Sequence, residues 1–119
     1  MRVLVWAGVA LLGGVGALLR FGLDGFVAER ASGSEFPWGT FAVNISGSFA
    51  LGVVAGASLH GDALRVAGTA TLGSYTTFST WMLEAHRLGE DGSLALGVIN
   101  VVLSLVVGVG SVLLGRAIA

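Results

Sequence analysis

Four apolar stretches separated by short polar links dominate the pattern of this chain. They run from about Val3 to Leu23, Gly39 to Leu59, Ala63 to Ala85 and Ser93 to Leu114. Each is close to the roughly 20 residues that carry a helix across a hydrocarbon core. The pattern predicts an all-α membrane protein, a single domain over residues 1–119 with four transmembrane helices and both ends on one side. The links are Asp24–Trp38, with the only proline at Pro37, the tight turn His60-Gly61-Asp62, and Arg87–Gly92. Arg2 followed by an apolar run also fits a cleavable signal peptide. That run, however, continues through Leu19 with no small-residue cleavage site before polar sequence.

The third stretch breaks the apolar pattern. Gly73-Ser74-Tyr75-Thr76-Thr77-Phe78-Ser79-Thr80-Trp81 places the hydroxyls of Ser74, Thr76, Thr77, Ser79 and Thr80 at membrane depth. Polar groups there must be satisfied by protein or must line a wet path. Gly73 permits a backbone excursion, so the third helix is expected to be broken near Gly73–Thr77. A broken helix frees carbonyls, which suit a hard cation such as Na+, and N–H groups, which with hydroxyl donors suit an anion. Phe78 and Trp81 share one helical face. Their positive ring edges suit an anion's route, and their bulk equally suits core packing. Glu84, one turn beyond Thr80, is placed to pair with an arginine near the membrane surface.

Composition narrows the function classes. Apolar residues make up 55% and charged residues 11%, with mean hydropathy +0.91, which is the balance of a membrane protein. Cysteine is absent, which excludes disulfides and thiolate metal sites. All six basic residues are arginine and none are clustered, so nothing points to nucleic acid. No enzyme site can be assembled either. His60 and His86 lie at span ends, Glu84 and His86 do not share a helix face, and Gly14-x-Gly16 lacks the third glycine of a nucleotide loop.

Small residues form stripes. Ser48, Gly52 and Gly56 recur along span two, and Asn100, Ser104 and Gly108 along span four, which reads as helix-packing seams. Arg2, Arg65 and Arg116 fall on the side of the termini, against Arg30 and Arg87, joined by Arg20 near a span end. This near-balance gives the chain no preferred orientation. Two copies of opposite orientation would then pair about an axis in the membrane plane, as an antiparallel dual-topology homodimer. A four-span chain also needs a partner to enclose any pathway.

Two further residues stand out. Arg20 closes the run from Gly13 and either snorkels to the interface or holds a fixed positive charge at a vestibule that draws anions. Asn44 sits within span two, where its amide needs partners. It either glues helices or donates to a passing anion. Asn44-Ile45-Ser46 matches a glycosylation sequon, which is unusable inside a membrane.

Three ordered motifs carry a family resemblance: Gly-Gly-x-Gly-Ala-x-x-Arg ending at Arg20, Gly-Thr-x-x-Val-Asn-x-x-Gly from Gly39 to Gly47, and Gly-x-x-Thr-Thr-Phe-Ser-Thr from Gly73 to Thr80. In length, span number and motif order the chain resembles the fluoride channel family (the CrcB/Fluc proteins). The resemblance implies an antiparallel dimer in the cell membrane with two fluoride pores. It also implies a structural Na+ at the dimer centre, held by backbone carbonyls of the broken helices, here those of Gly73 and Thr76. Asn44 matches the family's pore asparagine and Phe78 the first of its paired pore phenylalanines. Trp81 stands in place of the second, which is a departure. Ser79 and Thr80 match hydroxyls of the pore's polar track, and Ser104 a fourth-helix hydroxyl. Gly108 stands where a second hydroxyl is usual, with Asn100 one turn earlier as a substitute.

Such a pore would exchange fluoride's hydration for close donors in file, several moderate sites letting the ion both enter and leave. An inside-negative potential favours anion exit by roughly 2.3 kcal/mol per charge per 100 mV, so the expected direction is export. The rival is a small dual-topology multidrug/proton antiporter. It would need a membrane-embedded carboxylate in span one, where the expected span offers only Arg20.

Overall fold

The computed structural model describes residues 2–57, 61 and 64–119. The end of span two at Leu59, the start of span three at Ala63, and His60 and Asp62 of the expected link lie outside the described residues. Gly61 of that link has φ +57°, the left-handed region. All regular structure among the described residues is helical: α1 (Arg2–Arg30), α2 (Trp38–Gly56), α3 (Leu64–Leu72, wound as a π-helix), α4 (Gly73–Tyr75), α5 (Ser79–Glu90) and α6 (Leu94–Ile118). Within α1 the stretch Val3–Arg30, together with α2 and α6, is long and apolar enough to cross a bilayer. The third rod is interrupted, as α3, α4 and α5.

Inter-helix approaches fix the directions. Gly8 lies against Val66, and Gly13 and Gly16 against Ser74, so α1 and α3–α4 run the same way. Gly52 meets Val112 and Gly56 meets Arg116, so α2 and α6 also run parallel. Gly97 of α6 lies on the carbonyl of Ala85 while Asn100 reaches back to Trp81, so α5 and α6 are antiparallel. The four rods therefore alternate up and down.

Helix α1 continues to Arg30 instead of stopping at Leu23. Asp24 ends the apolar run but not the helix, because Phe26, Val27 and Ala28 maintain it. The Arg30 guanidinium then lies 4.5 Å over the Phe26 ring one turn back, at the helix end where positive charge is favoured. Helix α5 likewise runs to Glu90, beyond the expected end at Ala85. It closes on Gly92 (φ +87°), with Ser93 N–H on the Leu88 carbonyl at 2.7 Å and Gly92 N–H on that of Gly89 at 3.3 Å. This left-handed cap frees the chain to reverse directly into α6.

The most extensive packing joins α2 to α6; the span-two stripe lies on it and Gly108 meets Ser48 there, whereas Asn100 of the span-four stripe turns to Trp81 of α5. A β-carbon at Gly52 would run into the Val112 carbonyl, and one at Gly115 into that of Phe49. Apolar side chains cannot supply this closeness, since lipid gives helices no hydrophobic drive to associate. Gly52→Ala is therefore expected to lower stability by about 1–3 kcal/mol through overpacking, read as a lower thermal midpoint of the purified protein. Val43 (0% exposed), Thr40 (2%) and Asn100 (1%) are the largest fully buried side chains. Most of α1's large apolar residues instead face outward, as befits a lipid-facing helix. At the α1–α2 link Phe36, Trp38 and Phe41 stack into a cluster with centroids 4.5–5.8 Å apart, suited to a membrane interface.

Candidate functional site

The interruption of the third rod falls over Thr76–Phe78, at the late end of the expected Gly73–Thr77 stretch. Gly73 itself is helical and lacks positive φ, so its freedom is not what breaks the helix. The turn-out comes at Thr76 (φ −79°, ψ 159°), and its cause lies on another helix. Asn44 of α2 donates from Nδ2 to the Thr77 carbonyl at 2.8 Å, and the Thr77 N–H donates to Asn44 Oδ1 at 2.8 Å. This two-bond clamp satisfies a backbone unit that has left its helix, as a membrane interior requires. The α2 backbone at Gly47 is pressed against Tyr75 and Thr76, which leaves no room for a side chain there. Ser46 Oγ and Tyr75 Oη share a hydrogen bond of 2.7 Å beside it.

The clamp changes which backbone groups remain free. In a continuous helix the Thr77 N–H would bond the Gly73 carbonyl, and the Thr80 N–H that of Thr76. Here the first goes to Asn44 Oδ1 and the second to Thr77 Oγ1 at 3.3 Å. Both carbonyls nominated from the sequence for Na+ are thereby released from helical bonding. Carbonyl oxygens are the ligand type that a hard cation takes. No cluster of three or more His, Asp or Glu side chains able to hold a metal occurs among the described residues.

Beside the break lies an open groove of about 600 Å3, between α2, α6 and the third rod. It brings together Asn44, Gly73, Thr76, Phe78, Trp81 and Ser104. Among the described residues its lining contains no charged one. Phe78 and Trp81 meet edge to face, centroids 5.7 Å apart and planes at 87°. Phe78 is 69% exposed, so its ring is presented to the groove and not spent on the core. The Trp81 indole N–H donates to the Asn100 carbonyl at 3.3 Å, and Ser104 Oγ donates to Asn100 Oδ1 at 3.4 Å.

Three nominated residues stand outside this groove. Arg20 lies one turn beyond Gly16 and donates from Nε to the Ser74 carbonyl at 3.2 Å, tying α1 to the last turn before the break. Ser79 is exposed at the start of α5, and Thr80 is half-buried with its N–H on Thr77. Thr77 was missed. It anchors the clamp, lines the groove, and accepts the Thr80 N–H in the first turn of α5. In the sequence it is marked as a hydroxyl of the run, as the end of the expected break and as a member of the third motif, with nothing that gives it a role of its own. Glu84 forms no ion pair among the described residues. It lines a second, smaller cavity with Asp24 and Arg87, and its Oε1 and Thr40 Oγ1 are both buried.

Residues 7–116 match the family described as CrcB-like protein, Camphor Resistance (CrcB). The chain belongs to the CrcB family. It is 52% identical over 117 residues to a protein of Mycolicibacterium paratuberculosis named "Fluoride-specific ion channel FluC 2", covering 98% of this chain and 95% of the relative. A Mycobacterium tuberculosis protein of the same name is 50% identical over 119 residues, covering 100% and 94%. "Fluoride-specific ion channel FluC" of Citrifermentans bemidjiense is 45% identical over 103 residues, 82% of each. CrcB membership, with several helices of spanning length, makes this a multi-pass protein of the cell membrane. These CrcB relatives carry the names of ion channels, not enzymes.

Proposed function

We propose that this CrcB-family chain is a fluoride-selective passive channel. The observation that carries the reading is the Asn44–Thr77 clamp, which opens the third helix onto an uncharged groove edged by Phe78 and Trp81. Fluoride is small and strongly hydrated, so it must meet close donors as it sheds water. Asn44 Nδ2 spends one hydrogen on the Thr77 carbonyl and keeps the other. The Thr77 hydroxyl accepts from Thr80 and keeps its own proton for an anion. Ring edges at Phe78 and Trp81 add weak positive contacts. Ser79 and Thr80 lie outside the lining of this groove.

The uncharged lining supports passive flow, because no carboxylate among the described residues stands in the groove to couple an anion to protons. The antiporter alternative has no observation in its favour. An inside-negative potential drives anions outward by roughly 2.3 kcal/mol per charge per 100 mV, hence export. The groove is open along one side, and a second, antiparallel copy would close it and supply a second pore. In that dimer the released Gly73 and Thr76 carbonyls of both copies would hold a structural Na+, which offsets their mutual repulsion.

Fluoride-loaded liposomes test the reading: the purified chain is expected to release fluoride and retain chloride. Strictly Na+-free buffer on both sides is expected to lower the fluoride rate and to loosen the dimer in cross-linking. An unchanged rate and cross-linking yield there would remove Na+ from the account. Trp81→Phe is expected to keep conducting, since a phenyl edge replaces the indole edge.

A further inference from the structure

Trp81 of the groove wall and Asn100 behind it are bonded to each other. Trp81 Nε1 donates to the Asn100 carbonyl at 3.3 Å, and Asn100 Nδ2 donates to the Trp81 carbonyl at 3.5 Å. Each side chain thus closes on the other's backbone. The helices can come this near because Gly97, one turn before Asn100, has no side chain: a β-carbon there would stand 2.8 Å from the Ala85 carbonyl. Asn100 is 1% exposed and lies outside the groove lining, so an ion in the groove does not touch it. Its remaining acceptor, Oδ1, takes the Ser104 hydroxyl proton at 3.4 Å.

We infer that Asn100 is a positioning residue for the groove wall: it locks Trp81 to α6, withdraws the indole N–H from the ion's path, and turns the Ser104 proton away from it. This rests on the proposed fluoride conduction. The chemical consequence is specific. An indole N–H and a serine hydroxyl facing a fluoride in a low-dielectric groove would be strong donors, and strong donors in series make a deep site that holds the ion. With both protons committed to Asn100, Trp81 offers only its carbon-bound edge and Ser104 only lone pairs. The donors left to the ion are those of Asn44 and Thr77.

Indole hydrogen exchange on the 15N-tryptophan-labelled protein in nanodiscs tests the lock. Three indole signals are expected, and the one lost in Trp81→Phe is Trp81. Its N–H should exchange at least about tenfold more slowly than in Asn100→Leu, as expected for a bonded group opened only by local fluctuation. It should not shift as fluoride is titrated. A fluoride-dependent shift, or exchange unaltered in Asn100→Leu, overturns the inference. In liposomes Asn100→Leu should slow fluoride efflux about tenfold, or roughly 1.4 kcal/mol, by releasing the indole into the groove. Trp81→Phe/Asn100→Leu should regain much of the rate of Trp81→Phe, the remaining deficit being the freed Ser104 hydroxyl, which a merely structural asparagine would not allow. A double variant no faster than Asn100→Leu overturns the positioning role. If Asn100→Leu does not fold, the fluoride titration of the Trp81 signal in the unaltered protein decides alone. An unaltered protein that passes no fluoride contradicts the channel reading instead and leaves the exchange result standing.

Discussion

Asn44→Ala is expected to reduce fluoride efflux by roughly 100-fold or more, equivalent to about 2.7 kcal/mol at 1.36 kcal/mol per decade. The substitution removes both bonds of the clamp, leaving the Thr77 N–H and carbonyl without partners at membrane depth. Leaving a buried group unpaired costs about 1–3 kcal/mol, and the Thr77 N–H regains a partner most readily by returning to the Gly73 carbonyl. The break would then tend to heal into continuous helix, which withdraws Thr77 from the groove and recaptures a carbonyl assigned to Na+. Asn44→Asp separates the two duties. It keeps an acceptor for the Thr77 N–H, yet has no amide donor and sets a negative charge in the groove. The aspartate variant should hold the break better than the alanine variant and still conduct poorly. Flux from reconstituted vesicles and thermal stability, measured together, check both statements.

Phe78→Ile carries the second large effect, with the opposite balance between flux and stability. The ring is 69% exposed and its recorded aromatic partner is Trp81, 5.7 Å away edge to face. Such a pair contributes about 0.5–1.5 kcal/mol, so the fold should survive the change with an unaltered elution profile. Conduction should not survive it. Isoleucine fills similar space with no positive ring edge, so an anion crossing that point finds only apolar surface. A fall in fluoride efflux of roughly 30-fold or more is expected, about 2 kcal/mol on the same scale. Efflux at the unaltered rate would take Phe78 out of the pathway.

What could be read from the sequence follows from which forces are local. The apolar runs show where helices lie, because bilayer thickness sets their length, and α2 and α6 begin within a residue of their expected starts. Charge, however, is a poor marker of helix ends. Asp24 interrupts the hydropathy of α1 without interrupting its hydrogen bonding, and α5 likewise continues past His86 and Arg87 to its cap at Gly92. The small-residue stripes were legible as seams, but their pairing with one another was not, since that depends on the mutual placement of α2 and α6.

The site divides along the same line. The polar stretch in the third span, and Asn44 as a buried amide needing partners, are both visible in the chain. That the two satisfy each other is a contact across 33 positions. For that reason glycine at position 73 looked like the cause of a break that Asn44 produces at Thr77. Arg20 shows the converse. Its charge suggests an interfacial anchor or an anion vestibule, and the structure adds a contact that neither reading contains: its Nε holds the Ser74 carbonyl and joins α1 to the residues before the break. Asn100 looked like a stand-in for a missing hydroxyl, and the structure spends its amide on Trp81 and Ser104.

Halide release from liposomes carrying only the purified chain is the most direct test of the central claim. The account predicts rapid loss of trapped fluoride, with chloride retained under the same conditions. Vesicles that keep their fluoride, or that lose both halides at equal rates, would contradict it.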